Sequence, residues 1–275
     1  MEALGLGLRG VSDPLASDPL SPPDALPAPP GAFPAAADAG PTRAQRRLIA
    51  VGEVLLCSSV PTQVLITFLL LSAGWVHAEP DGQYSLAFVV TLSLADTVVL
   101  IGLMVALTRA HGERPGELWL GRRPLLREAA RGILLVPIVF LMVVVLLNGL
   151  RMLAPWLHSV PENPLEQLAK GGPMDAALFA LVAIFAGGVR EELQRAFLLR
   201  RFEQHLGGAA VGVVVLSTAF GLGHWVQGLD AVITTGVLGA FWAIVYLRRR
   251  SSVAPVVSHA GFNSMEILRV ALGGS

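Results

Sequence analysis

The chain has 275 residues, 53% of them hydrophobic and 15% charged, with a mean hydropathy of +0.63 and zero net charge. Those proportions exclude an ordinary soluble domain, whose apolar residues are spaced to cover one buried face rather than gathered into long runs. The charge balance excludes the basic footprint of a nucleic-acid binder, and the single cysteine, Cys57, excludes an internal disulfide or a thiolate metal site. Cys57 lies in an apolar run and reads as a packing residue.

Residues 1–42 are rich in proline, alanine and small polar residues and contain no apolar run flanked by basic residues. They predict a disordered cytoplasmic tail, a solvated extension rather than a signal peptide, in front of a transmembrane domain over 43–275. Seven apolar segments follow, at 48–75, 84–107, 132–153, 174–199, 209–225, 230–247 and 253–272. Most approach or exceed the ~20 residues a helix needs to cross a bilayer, so the expected fold is an all-α, polytopic bundle of about seven spans. Pro61 and Pro137 fall inside the first and third segments, where they predict kinks.

The arginines set the orientation. Arg43, Arg46 and Arg47 precede the first span; Arg109, Arg114, Arg122, Arg123, Arg127 and Arg131 fill the loop after the second. Arg200 and Arg201 follow the fourth span, and Arg248, Arg249 and Arg250 the sixth. With seven alternating spans all of these share one side, which the positive-inside rule makes cytoplasmic, together with the N-terminus. Arginine, alanine and glycine are abundant and Lys170 is the only lysine, a composition that suggests a bacterial chain, and hence the cytoplasmic (inner) membrane. Gly116 to Arg131 mixes leucine and tryptophan with arginine, as a short amphipathic surface helix or a plain basic loop would.

The fourth segment carries Arg190, Glu191, Glu192 and Arg195 roughly one to two and a half helical turns inside its basic end. Charges at that depth must pair or line a polar cavity, because hydrocarbon does not solvate them. Glu191 with Arg195 has i,i+4 spacing and Glu192 with Arg195 has i,i+3, so either pairing is open, and Arg190 reads as a snorkelling neighbour. His224 ends the fifth segment. His259 and Asn263 share one face of the seventh, four residues apart. A carboxylate, two imidazoles and an amide suffice to activate water and steady an oxyanion.

Glu191-Glu192 followed by Arg195, Phe220-xxx-His224 and His259-xxx-Asn263, in this order over residues 174–272, resemble the three motifs of the CPBP (Abi) intramembrane proteases, relatives of the CAAX-processing endopeptidases. The resemblance implies an intramembrane endopeptidase hydrolysing a peptide bond in a membrane-associated or lipid-modified peptide or protein. It implies that Glu191 activates a water held with His224, that His259 and Asn263 stabilise the oxyanion, and that Glu192 and Arg195 orient these groups. One departure from the pattern is that Ala196 stands where the family has its arginine, one position after Arg195. No HExxH pair is present, so a conventional zincin site is excluded. Both a glutamate-type reaction and a divalent metal such as zinc on Glu191, His224 and His259 remain compatible with the residue types. Two other functions use the same residues: a non-catalytic membrane scaffold or bacteriocin-immunity-type peptide-binding protein, and a proton-coupled transporter, which the lack of an internal repeat disfavours. The expected partners are membrane lipid and a peptide or protein substrate, with no nucleic acid. Counted along the helices, His224 lies about 22 Å from the basic face and Glu191 and His259 about 14 Å, so their depths do not match.

Overall fold

The computed structural model describes residues 40–161 and 163–273, and the tail expected over 1–42 lies almost wholly outside them. Residues from Pro41 onward make one compact unit of helices. In chain order these are α1 (Arg43–Leu56), α2 (Val60–Ser72), α3 (Leu86–Ala110), the short α4 (Pro115–Trp119), α5 (Leu125–Leu153), α6 (Pro173–Val182), α7 (Glu191–His205), α8 (Ala209–Leu222), α9 (Leu229–Arg249) and α10 (Val253–Ala271). An eight-residue π-helical segment, Ala183–Arg190, joins α6 to α7 without a break, so that Pro173–His205 runs as one 33-residue rod.

A helix appears at each of the seven apolar segments, but the expectation of seven full spans holds only in part. Four helices are long and apolar enough to cross a membrane: α3, α5, the α6–α7 rod and α9. A fifth span results if α1 and α2, which meet at 41°, are counted as one. α8 has 14 residues, about 21 Å of rise. α10 is long enough, but Ser258, His259, Asn263, Ser264, Glu266 and Arg269 make it too polar. α5 has the opposite character: its span window has a mean hydropathy of 2.9 and only 6% of it is buried in protein, as suits a helix bathed in lipid.

The two prolines differ in effect. Pro61 sits in the first turn of α2, where its missing N–H costs nothing, and the chain breaks ahead of it at Ser59, whose φ of 70° is left-handed. Pro137 lies inside α5, which continues through it. Gly116 to Arg131 forms neither one continuous amphipathic helix nor a plain loop. α4 ends at Trp119, α5 starts at Leu125, and Trp119 is buried with its indole N–H on the Leu193 carbonyl at 3.0 Å.

The arginine-rich ends come together on one face. Arg201 of α7 meets Glu53 of α1 at 2.6 Å, and Arg200 and Arg201 each meet Glu113 at 3.0 Å. Burial alone would raise the Glu113 carboxyl, but hydrogen bonds from Gln204 and Arg200 and the charges of Arg201 and Arg200 hold it below its ordinary value, so this clamp is ionic at neutral pH. Arg249 binds Glu128 at 3.1 Å, and Arg250 binds Glu203 at 2.6 Å. Arg200 and Arg201 thus belong to α7 itself rather than to a loop after it.

The close approach of the rod to α10 positions everything that follows. A Cβ on Gly188 would stand 2.6 Å from the Ala260 Cβ and 2.9 Å from its Cα, and one on Gly187 would stand 2.6 Å from Asn263 Nδ2. Only hydrogen fits at these positions. We expect Gly188→Ala to push α10 off the rod and lower the melting temperature in detergent by the equivalent of about 1–3 kcal/mol, with Gly116→Ala, in open space, as the silent comparator.

Candidate active site

The rod delivers Glu191 and Glu192 at the junction where the π-helical segment returns to α-helical winding, a kind of irregularity frequent at functional sites. Successive residues on a helix point about 100° apart, so the two carboxylates face different partners. Glu192 is 2% exposed and turns toward α10, while the Glu191 side chain is 18% exposed.

Glu192 Oε1 binds both Arg195 Nη1 and His259 Nδ1, the latter at 2.8 Å. Arg195 therefore pairs with Glu192 at i,i+3 rather than with Glu191. This answers the family departure: one residue earlier on the helix, the guanidinium still reaches the buried carboxylate, and its Cζ packs 4.6 Å over the Phe220 ring. A carboxylate only accepts, so His259 Nδ1 carries a proton, and of the two neutral tautomers this selects the one with an acceptor lone pair at Nε2. The imidazole is stacked on Trp242 at 3.9 Å and 15°, and the Trp242 indole N–H is held by Ser258 at 3.3 Å. Glu192 Oε2 is buried with no hydrogen-bond partner among the described residues. His259 Nε2 lies 3.9 Å from Glu191 Oε2, beyond a direct hydrogen bond.

Arg190 does not snorkel. It is 7% exposed; Nη1 pairs with fully buried Asp96 of α3 and lies 3.3 Å from Ser59 Oγ, and Nη2 reaches Glu191 Oε1 at 3.2 Å. Thr62 and Gln63 of α2 also bind Asp96. Gln194 donates to the Cys57 carbonyl at 2.6 Å and to Ser59 at 3.1 Å. The break between α1 and α2 is thus anchored to the residues flanking Glu191. Sequence reading missed Asp96 and Trp242. Asp96 had a signal, a lone charge in the apolar run of α3; Trp242 had none, because an aromatic in a span is ordinary.

A cavity of about 810 Å³ lies beside this cluster, and His259, Asn263, Trp242, Phe220 and His224 all line it. Asn263 Nδ2 donates to the Ala183 carbonyl of the π-helical segment at 3.3 Å, which leaves one amide hydrogen over. His224 falls past the end of α8, heading a 3-10 turn, and its Nδ1 donates to the Phe220 carbonyl at 2.9 Å, so its Nε2 too is an acceptor. The Phe220 ring contacts both imidazoles edge-on, at 5.0 Å from His224 and 6.1 Å from His259. Glu191 is not among the lining residues. The structure therefore brings Glu191, Glu192, Arg195 and His259 into one contact group with Asn263 adjoining, and Phe220, touching both imidazoles, places His224 beside this group on the wall of the same cavity.

Both imidazoles donate Nδ1–H to an oxygen partner and leave Nε2 as the acceptor, the arrangement found at metal-ligating histidines. Among the described residues, however, no group of three or more His, Cys, Asp or Glu side chains stands close enough together to hold a metal ion. Glu191, His224 and His259 as arranged do not fit one.

Residues 173–265 match the family model described as Type II CAAX prenyl endopeptidase, Rce1-like. This segment is Rce1-like. The resemblance read from the three motifs is borne out over it, about a third of the chain, and it contains all six predicted site residues. The Rce1-like segment starts with α6 and ends in α10, so it contains the rod and its close partner. No curated protein and no solved structure matches the chain. The family points to a CAAX-protease-type peptidase, a hydrolase of multi-pass membrane character.

Removing the Glu192 charge leaves Arg195 buried without its carboxylate. We expect Glu192→Gln to destabilise the protein by about 3–5 kcal/mol, read as thermal unfolding in detergent. Glu191→Gln, whose Arg190 partner keeps Asp96, is expected to melt near the parent.

Proposed function

We propose that the protein is an intramembrane endopeptidase that cleaves a peptide bond in a membrane-associated peptide or protein by water that Glu191 activates. The observation that carries this reading is the 3.9 Å gap between Glu191 Oε2 and the acceptor Nε2 of His259, a ring fixed by Glu192 and Trp242 at the side of a large cavity. A water hydrogen-bonded to both atoms at ~2.8 Å subtends about 90°, close to its own bond angle, so its two hydrogens point at the two acceptors and its lone pairs point away.

In the reaction, this oxygen attacks the carbonyl carbon of the scissile bond while Glu191 takes one of its protons. The spare amide hydrogen of Asn263 meets the oxyanion as it forms. Collapse of the tetrahedral intermediate breaks the C–N bond, and the proton on Glu191 passes to the departing nitrogen, giving a carboxyl and an amine end. Arg190 orients Glu191, while Glu192 and Arg195 fix His259. His224, with a free Nε2 on the same cavity, serves as a second proton carrier.

The test is cleavage of a reporter peptide in proteoliposomes. Glu191→Gln is expected to lose about a hundred- to ten-thousand-fold in turnover, the worth of a positioned base, while folding as the parent does. Undiminished cleavage by this variant would remove Glu191 from the reaction.

A further inference from the structure

The cavity and the charged face lie at opposite ends of the bundle. Its lining runs from Trp242 and His259 to Arg151 at the end of α5, His158, Val160 and Lys170 in the connection that follows, and Gly273 past the end of α10. From His259 to Ala271 is twelve residues of helix, about 18 Å, so the cavity penetrates past the middle of the bundle. The rim at this end is built: buried Asp230, at the start of α9, holds Arg151 at 3.2 Å and His158 at 2.9 Å.

Toward the arginine-rich face the site is sealed. Trp119 plugs that end: its indole is on Leu193, its carbonyl accepts from Ser252 N at 2.7 Å, and the preceding carbonyl, of Leu118, accepts from the Tyr246 hydroxyl at 3.2 Å. Ser251, Ser252, Ala254 and Ser258 of α10 and its approach are buried between His259 and this face. Beyond the plug lie Arg122, Arg123, Arg248, Arg249 and Arg250, the residues the positive-inside rule keeps in the cytoplasm.

We propose that the cavity is loaded from the non-cytoplasmic side, so that the enzyme takes polypeptide segments that have already crossed the membrane or sit in its outer leaflet, and not cytoplasmic chain ends. What happens to such a segment rests on the endopeptidase reading above; the sidedness rests only on the sealed face, the open rim and the charge asymmetry.

Cysteine accessibility tests it without requiring activity. In a Cys57→Ala background, three single variants are compared: Lys170→Cys at the rim, Thr235→Cys on the cavity wall and Arg248→Cys on the sealed face. A membrane-impermeant maleimide added to intact cells should label positions 170 and 235 but not 248; in inverted vesicles it should label 248. Labelling of 248 from outside the cell, or of 235 only in inverted vesicles, would overturn the proposal. In a second arm, an adduct formed on Thr235→Cys from outside is expected to abolish reporter cleavage, and cleavage unaffected by the adduct would overturn the loading route. If Glu191→Gln retains cleavage but the labelling pattern holds, the catalytic assignment fails and the sidedness stands.

Discussion

A buried carboxylate shared by two nitrogen donors organises this molecule. Glu192 is nearly inaccessible inside a lipid-bathed bundle, where an unpaired charge would cost several kcal/mol, so its burial requires Arg195 and His259 to be in place. Arg195 comes from the same helix and is available locally. His259 comes from α10, 67 residues later, and can arrive only because Gly187, Gly188 and Ala260 let the two backbones approach. The ion cluster and the small residues are therefore one device: the glycines permit the contact, and the charge makes it obligatory.

The chemistry follows from what this contact leaves over. Glu192 consumes the Nδ1 proton of His259 and so exposes an acceptor at Nε2, while the adjacent Glu191, turned about 100° away, is free to face that acceptor across a water-sized gap. A second network, Asp96 through Arg190, holds Glu191 from the other side and fastens the broken span of α1 and α2 to it. Each carboxylate thus has its own arginine. Trp242 and Phe220 supply the apolar walls.

Much of this was legible in the sequence and some was not. Charges at 190–195 within an apolar run announced a site, and three ordered motifs carried the resemblance that the family match over residues 173–265 bears out, because burying a charge in hydrocarbon leaves a pattern that few sequences contain by accident. The partner of Arg195 was not legible, since i,i+3 and i,i+4 spacings are both open on an isolated helix. Arg190 was misread because depth along a helix does not say which neighbour faces it; Asp96, a lone charge in α3, was the clue. Seven spans hold only in part because runs such as 209–225 and 253–272 are apolar on average, while their helices are short in one case and lined with polar residues in the other. The depths of Glu191 and His224 agree once the helix ends are known: α7 runs on to His205, which puts Glu191 about 21 Å from that end, against about 22 Å for His224 from the start of α8.

The central claim is that Glu192 sets the tautomer of His259. Nitrogen-15 solid-state NMR of the histidine-labelled protein in lipid, with the His259 signals assigned by their loss in His259→Gln, measures this directly. The account predicts a protonated Nδ1 and an unprotonated Nε2 on His259. A protonated Nε2 beside a bare Nδ1 would contradict it.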